Sequence, residues 1–220
     1  MPKPELYWIS GSPPAWRVML AMVIKGIDFD SRRLDHGKGE NKTTEYLHLN
    51  PKGQVPTVVY GESTVRESIA ILGWLDRAFP ERLIFGERAA DAACVWQDLM
   101  LMEGDLRPVT TDIAQILLRD KTLERAEDLA HAIDHTSIQF DDLAQRLERA
   151  PFLGDDAPMA ADIWLYPTIG WIERAAFLAK DKAPQEVVEI VSSRPALKDW
   201  RARMAALPGV TSTHPPHWNT

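Results

Sequence analysis

At 220 residues with 45% hydrophobic side chains, the chain can bury the core of one large domain or two small ones. A net charge of -7 argues against a nucleic-acid partner, and the longest apolar run, Val18 to Ile24, falls far short of the roughly 20 residues a membrane span needs. No signal peptide opens the chain and its single cysteine, Cys94, cannot form an intrachain disulfide; the expectation is a cytoplasmic protein with Cys94 packed in its core.

The first elements alternate. Glu5 to Ile9 reads as a strand. Gly11 then permits a turn, Ser12 is a favoured N-cap, and Pro13 and Pro14 fall in the first turn of a helix running from Ala15 to Lys25 and ended by Gly26. The helix start favours an anion, and with two proline N–H groups missing, the Ser12 hydroxyl and the Ala15 N–H are its nearest donors. Ile27 to Asp30 alternates as a second strand should, completing a βαβ unit. A polar loop with Gly37 and Gly39 leads to a short helix over Thr44 to Leu49. Thr57 to Tyr60 and Ser63 to Val65 form a hairpin across Gly61-Glu62, and Glu67-Ser68 opens a helix with apolar face Ile69, Leu72, Leu75 and Phe79.

Residues 80–87 read as a linker, and everything beyond is helical. Val95, Leu99, Met102, Leu106, Val109, Ile113 and Ile116 recur at 4-3-4-3-4-3 spacing, which predicts one long helix with a buried seam, kinked at Pro108. Helices follow at 123–148, 160–174, 186–191 and 196–207, then a tail holding His214, His217 and Trp218. No metal site is expected: His131 and His135 share a helix face without a third ligand. The expected domains are 1–79, a four-stranded α/β module of net charge +1, and 88–220, an all-α bundle; residues 80–220 together carry -8. The near-neutral module suits an anionic ligand better.

The ordered set Gly11-Ser12-x-Pro14, Asn50-Pro51-x-x-x-Val55-Pro56 and Glu67-Ser68, with its helical remainder, resembles the cytosolic glutathione S-transferases over essentially the whole chain. The resemblance implies a thioredoxin-like first domain and a helical second domain, glutathione as co-substrate, and detoxifying conjugation to a small apolar electrophile. Ser12, with Ser10 as the rival, would then hydrogen-bond the glutathione sulfur. Lowering a thiol pKa from about 8.5 by two units requires about 2.7 kcal/mol, which a hydroxyl and a helix dipole can supply. Val55-Pro56 corresponds to the family's cis-proline site, where with Gln54 it would pair with the cysteinyl part, while Glu67 and Ser68 would take the γ-glutamyl ammonium and carboxylate. Gly53 stands where many relatives have a Lys or His for the glycyl carboxylate, which leaves Lys52, His36, Lys38 or Arg17 to substitute.

Trp16-Arg17-Val18, Lys25-Gly26-Ile27-Asp28, Pro108 and Glu173-Arg174 are similar to the zeta class, in which an arginine at the place of Arg174 receives a substrate carboxylate. That class's Ser-Ser-Cys loop is here Ser12-Pro13-Pro14. A glutathione-dependent cis-trans isomerase of a small diacid, and a non-catalytic glutathione-binding interaction protein, are the alternatives. Beside the apolar seam, Met100, Glu103, Arg107 and Thr110 form a stripe expected, with Trp218 in the tail, to line the substrate pocket. The resemblance also implies a homodimer. Finally, the family's capping Ser/Thr-x-x-Asp reads Met159-Ala160-Ala161-Asp162, lacking the cap hydroxyl.

Overall fold

The computed structural model describes residues 3–218 and divides into two units. One unit runs to Phe85 and takes in the chain again from Ala206; the other runs from Gly86 to Ala205. The tail expected within the helical domain thus belongs with the α/β unit.

In the first unit, β1 (Glu5–Trp8), β2 (Asp30–Arg33), β3 (Thr57–Tyr60) and β4 (Ser63–Arg66) make a mixed sheet ordered β2-β1-β3-β4. β1 pairs in parallel with β2 and antiparallel with β3, and β3 pairs antiparallel with β4. The second strand lies three residues later than its alternating pattern predicts. All four of its side chains are exposed, so this edge strand is set by its ladder to β1 and carries no apolar signal.

Helix α1 (Pro13–Lys25) packs a nearly all-buried surface and stops at Gly26, whose φ of 72° suits glycine. Helices α2 (Thr44–Leu49) and α3 (Ser68–Ala78) complete the unit. The buried face of α3 is Ser68, Ile71, Leu72, Leu75 and Asp76, with Ile69 and Phe79 only partly covered. Asp76 is there because it has partners: Lys25 Nζ lies 3.1 Å from its Oδ1, which also accepts from Ile84 N at 2.6 Å. Lys25 donates as well to the Arg82 carbonyl, and Arg82 to the Ile24 carbonyl at 2.6 Å. Residues 80–85 are therefore fastened to the first unit, with Ile84 and Phe85 buried.

The second unit is helical: α4 (Ala89–Leu101), α5 (Arg107–Leu118), α6 (Ala126–Leu147), α7 (Ala160–Ala179), α8 (Gln185–Val188) and α9 (Pro195–Ala206). Between α4 and α5, Met102–Leu106 forms a π-turn in which Arg107 N donates to Met102 O. Pro108 has no N–H for the carbonyl four residues back, and the wider turn takes up that break without ending the helix. Its extra residue advances the seam, so Thr110 is buried where Val109 was expected.

The core of this unit includes a carboxylate. Asp162, fully buried on α7, accepts from Leu153 N at 2.8 Å, Gly154 N at 3.2 Å, Met159 N at 3.0 Å and Trp200 Nε1 at 2.7 Å. Burial pushes its carboxyl up from the ordinary value, and these four donors pull against it. Met159 brings no hydroxyl to the helix start, and the Asp162 carboxylate ties the preceding turn to α7. Cys94 is exposed on α4, contrary to the expected core position, and His131 and His135 are exposed on α6. Among the described residues no helix is long and apolar enough to cross a membrane.

Candidate functional site

Sheet register gathers the sequence motifs. Tyr7 lies opposite Thr57, and Thr57 opposite Arg66. The segments just beyond these three residues, Ser10 to Ser12 after β1, Gln54 to Pro56 before β3 and Glu67-Ser68 after β4, therefore emerge at one end of the sheet.

In the first segment Gly11 has φ +86°, and the loop turns straight into α1. Ser12 Oγ accepts from Ala15 N at 3.5 Å, so the hydroxyl caps the helix and consumes one of the two donors expected there. Acceptance leaves the hydroxyl proton of Ser12 available to another group. Ser10 differs: its Oγ lies 2.7 Å from His217 Nδ1. That contact reaches from the tail, whose Trp218 meets Trp16 edge-on at 5.4 Å and whose Thr213 accepts from Trp16 Nε1 at 2.7 Å. A side chain at position 11 would press on His217 Cε1 at 3.1 Å, a second reason for glycine.

The second segment is braced from below. Tyr46 Oη donates to Gln54 O at 2.6 Å and shares Thr57 Oγ1 at 2.9 Å, while Asn50 Nδ2 donates to Gln54 O at 2.8 Å. Burial raises the Tyr46 phenol above its ordinary value and keeps it a donor. Asn41 Nδ2 holds Gly53 O at 2.7 Å, and the Val55–Pro56 peptide is cis. A Cβ at Gly53 would fall 2.6 Å from Lys42 Nζ, so the lysine side chain runs through the space this glycine leaves empty. Its ammonium donates to Lys52 O at 3.1 Å. Lys42, which is not among the sequence candidates, thus places its ammonium beside Gly53 and Lys52.

In the third segment Glu67 stands at φ 63° without being glycine, a strained backbone of the kind found at ligand sites. It precedes Ser68, the first residue of α3, which is buried. Glu67 Oε1 and Lys52 Nζ are 2.6 Å apart, so two residues that the resemblance assigns to opposite ends of glutathione form an ion pair.

The remaining candidates separate. His36 lines a cleft of about 580 Å³ with Ser10, Arg33, Asp35, Glu40 and His217. Lys38 lies 3.5 Å from Asp35, and Arg17 is buried. On the second unit Met100 and Arg107 are exposed, and Glu103 is engaged by Trp164 Nε1 at 2.8 Å and Arg107 Nε at 2.7 Å. Thr110 departs from the stripe: it is buried and donates to Leu106 O at 2.8 Å, because the π-turn rotates it inward. The Arg174 guanidinium sits 5.4 Å from the Phe177 ring centre, and Trp218 belongs to the first unit.

Comparison with known proteins identifies the family. Residues 11–78 match the glutathione S-transferase N-terminal domain and residues 127–203 its C-terminal domain. The chain is 32% identical to "Glutathione S-transferase 1" of Dianthus caryophyllus over 76% of each chain. It is 29% identical to "Glutathione S-transferase zeta class" of Euphorbia esula over 76% of this chain and 75% of that one. The crystal structure of a glutathione S-transferase from the Antarctic clam Laternula elliptica superposes with a TM-score of 0.80 at 27% identity, covering 99% of this chain and 94% of that one. By its sequence, its sheet and its helical second unit, the chain belongs to the glutathione S-transferase family.

Proposed function

We propose that the protein binds glutathione at the end of the sheet and that Ser12 donates a hydrogen bond to its sulfur, activating the thiolate for attack on a small electrophile. The register Tyr7–Thr57–Arg66 carries this reading, because it brings three separate segments to one edge. Glu67 and Ser68 take the γ-glutamyl end, Val55 with Gln54 and Pro56 the cysteinyl backbone, and Lys42 with Lys52 the glycyl carboxylate. Glutathione's ammonium displaces Lys52 from Glu67, which frees that lysine for the other end of the ligand. On the second unit Met100, Glu103, Arg107 and Arg174 are the candidates for electrophile contact.

Calorimetry tests the binding half. Glu67→Ala weakens glutathione binding, since a charge-assisted hydrogen bond is worth about 1.5–3 kcal/mol. Lys42→Ala weakens it by about tenfold, yet leaves γ-glutamylcysteine, which lacks the glycyl carboxylate, unaffected. Equal losses for both ligands would remove Lys42 from the site.

The protein is further proposed to be a cytoplasmic homodimer. Trp96 and Leu101 expose large apolar side chains on α4, as an association surface does, and an exposed free thiol at Cys94 suits a reducing compartment. Light scattering at micromolar concentration is expected to give twice the chain mass of 24.8 kDa; a mass at that value would overturn the dimer.

A further inference from the structure

The cleft beside Ser10 has a composition that an apolar acceptor does not require. It holds a guanidinium and two imidazoles, from Arg33, His36 and His217, together with the carboxylates of Asp35 and Glu40. Both acids are already engaged. Asp35 Oδ1 accepts from Lys38 N at 3.3 Å while its Oδ2 faces Lys38 Nζ, and Glu40 Oε2 accepts from Asp35 N at 2.7 Å.

The Arg33 guanidinium is not matched in this way. The Arg33 guanidinium lies 5.8 Å from the centre of the Trp8 ring, and no acceptor among the described residues takes its N–H groups. The His36 ring likewise has no hydrogen-bond partner among the described residues, whereas His217 is held by Ser10. A guanidinium with unused donors in a fork geometry is the side chain best fitted to a planar carboxylate.

We infer that this cleft receives a carboxylate-bearing acceptor substrate, with Arg33 as the anchor and His36 as a supporting donor. The inference rests on the glutathione-transfer reading above and refines its acceptor from an apolar to an anionic class. It also separates His36 from the glycyl end of glutathione, which Lys42 serves.

The test compares a chlorodinitrobenzoate with the chlorodinitrobenzene that lacks its carboxylate. In both, the glutathione thiolate forms a C–S bond to the ring carbon and chloride departs with the electron pair of the C–Cl bond. The expected result is that Arg33→Gln lowers the ratio of kcat/KM for the benzoate over that for the neutral compound by about tenfold. Arg33→Lys, which retains the charge, keeps part of the preference. An unchanged ratio, or equal loss on both compounds, overturns the inference.

Calorimetric titration of the benzoate into wild-type and Arg33→Gln protein separates this inference from the transfer reading. If neither compound is conjugated, the transfer reading fails and the titration still decides. Benzoate affinity lost with Arg33 supports the cleft, while affinity absent from the wild type or equal in both proteins refutes it.

Discussion

Ser12→Ala is expected to lower the rate of glutathione conjugation by one to three orders of magnitude, about 1.4–4 kcal/mol of transition-state stabilisation, while glutathione affinity changes little. The split follows from where the hydroxyl sits. In the proposed site the ammonium and the two carboxylates of glutathione are assigned to other residues, which leaves the sulfur to the serine. A hydrogen bond to a thiolate strengthens as charge gathers on sulfur and stabilises the anion over the thiol. The pH profile is the sensitive readout: loss of the donor raises the thiol pKa and moves the rising limb of kcat/KM to higher pH. Ser10→Ala is the control, because that hydroxyl is engaged by His217. Full activity in Ser12→Ala with loss in Ser10→Ala would transfer the role to Ser10.

Asp162→Ala has the largest expected effect on stability. Four N–H groups converge on this carboxylate from the 153–159 turn and from Trp200 on α9, and its removal takes their acceptor away, leaving the buried Trp200 Nε1 and three half-buried backbone N–H groups without it. Breaking a buried charged network of this kind costs about 3–5 kcal/mol. Asp162→Asn keeps one oxygen but turns an NH2 group toward two donors, so its loss should be intermediate. Urea unfolding followed by tryptophan emission is suited to the measurement, since Trp200 is itself a partner. A loss below about 1 kcal/mol for the alanine variant would show that the turn and α7 find other contacts.

Much of this architecture is legible in the sequence where local chemistry decides it. The short helix at Thr44–Leu49, the hairpin at Gly61-Glu62 and the stop of α1 at Gly26 each depend on residues within a few positions. Other features are decided elsewhere in the chain. β2 takes its register from β1 while its own side chains all face solvent, so no alternation marks Asp30–Arg33. Thr110 fits the exposed stripe under an unbroken α-helical period, and only the π-turn moves it inside. The Ser10–His217 contact joins residues 207 positions apart, beyond the reach of any motif. Ser12, Val55 and Glu67 become candidates through the motifs that carry the family resemblance; Lys42 does not, because what qualifies it is an empty volume on a neighbouring loop.

That empty volume couples two positions in heredity as well as in space. Any side chain at 53 would meet Lys42 Nζ and the carbonyl of Asn41 within 2.7 Å, on a backbone whose φ of +59° already disfavours one. A relative with a long cation at 53 thus has no room for a threaded lysine at 42, and a chain with glycine at 53 has its nearest cation at 42. The positive charge can migrate from one loop to the other during divergence, provided that the glycine is in place before the lysine threads past it.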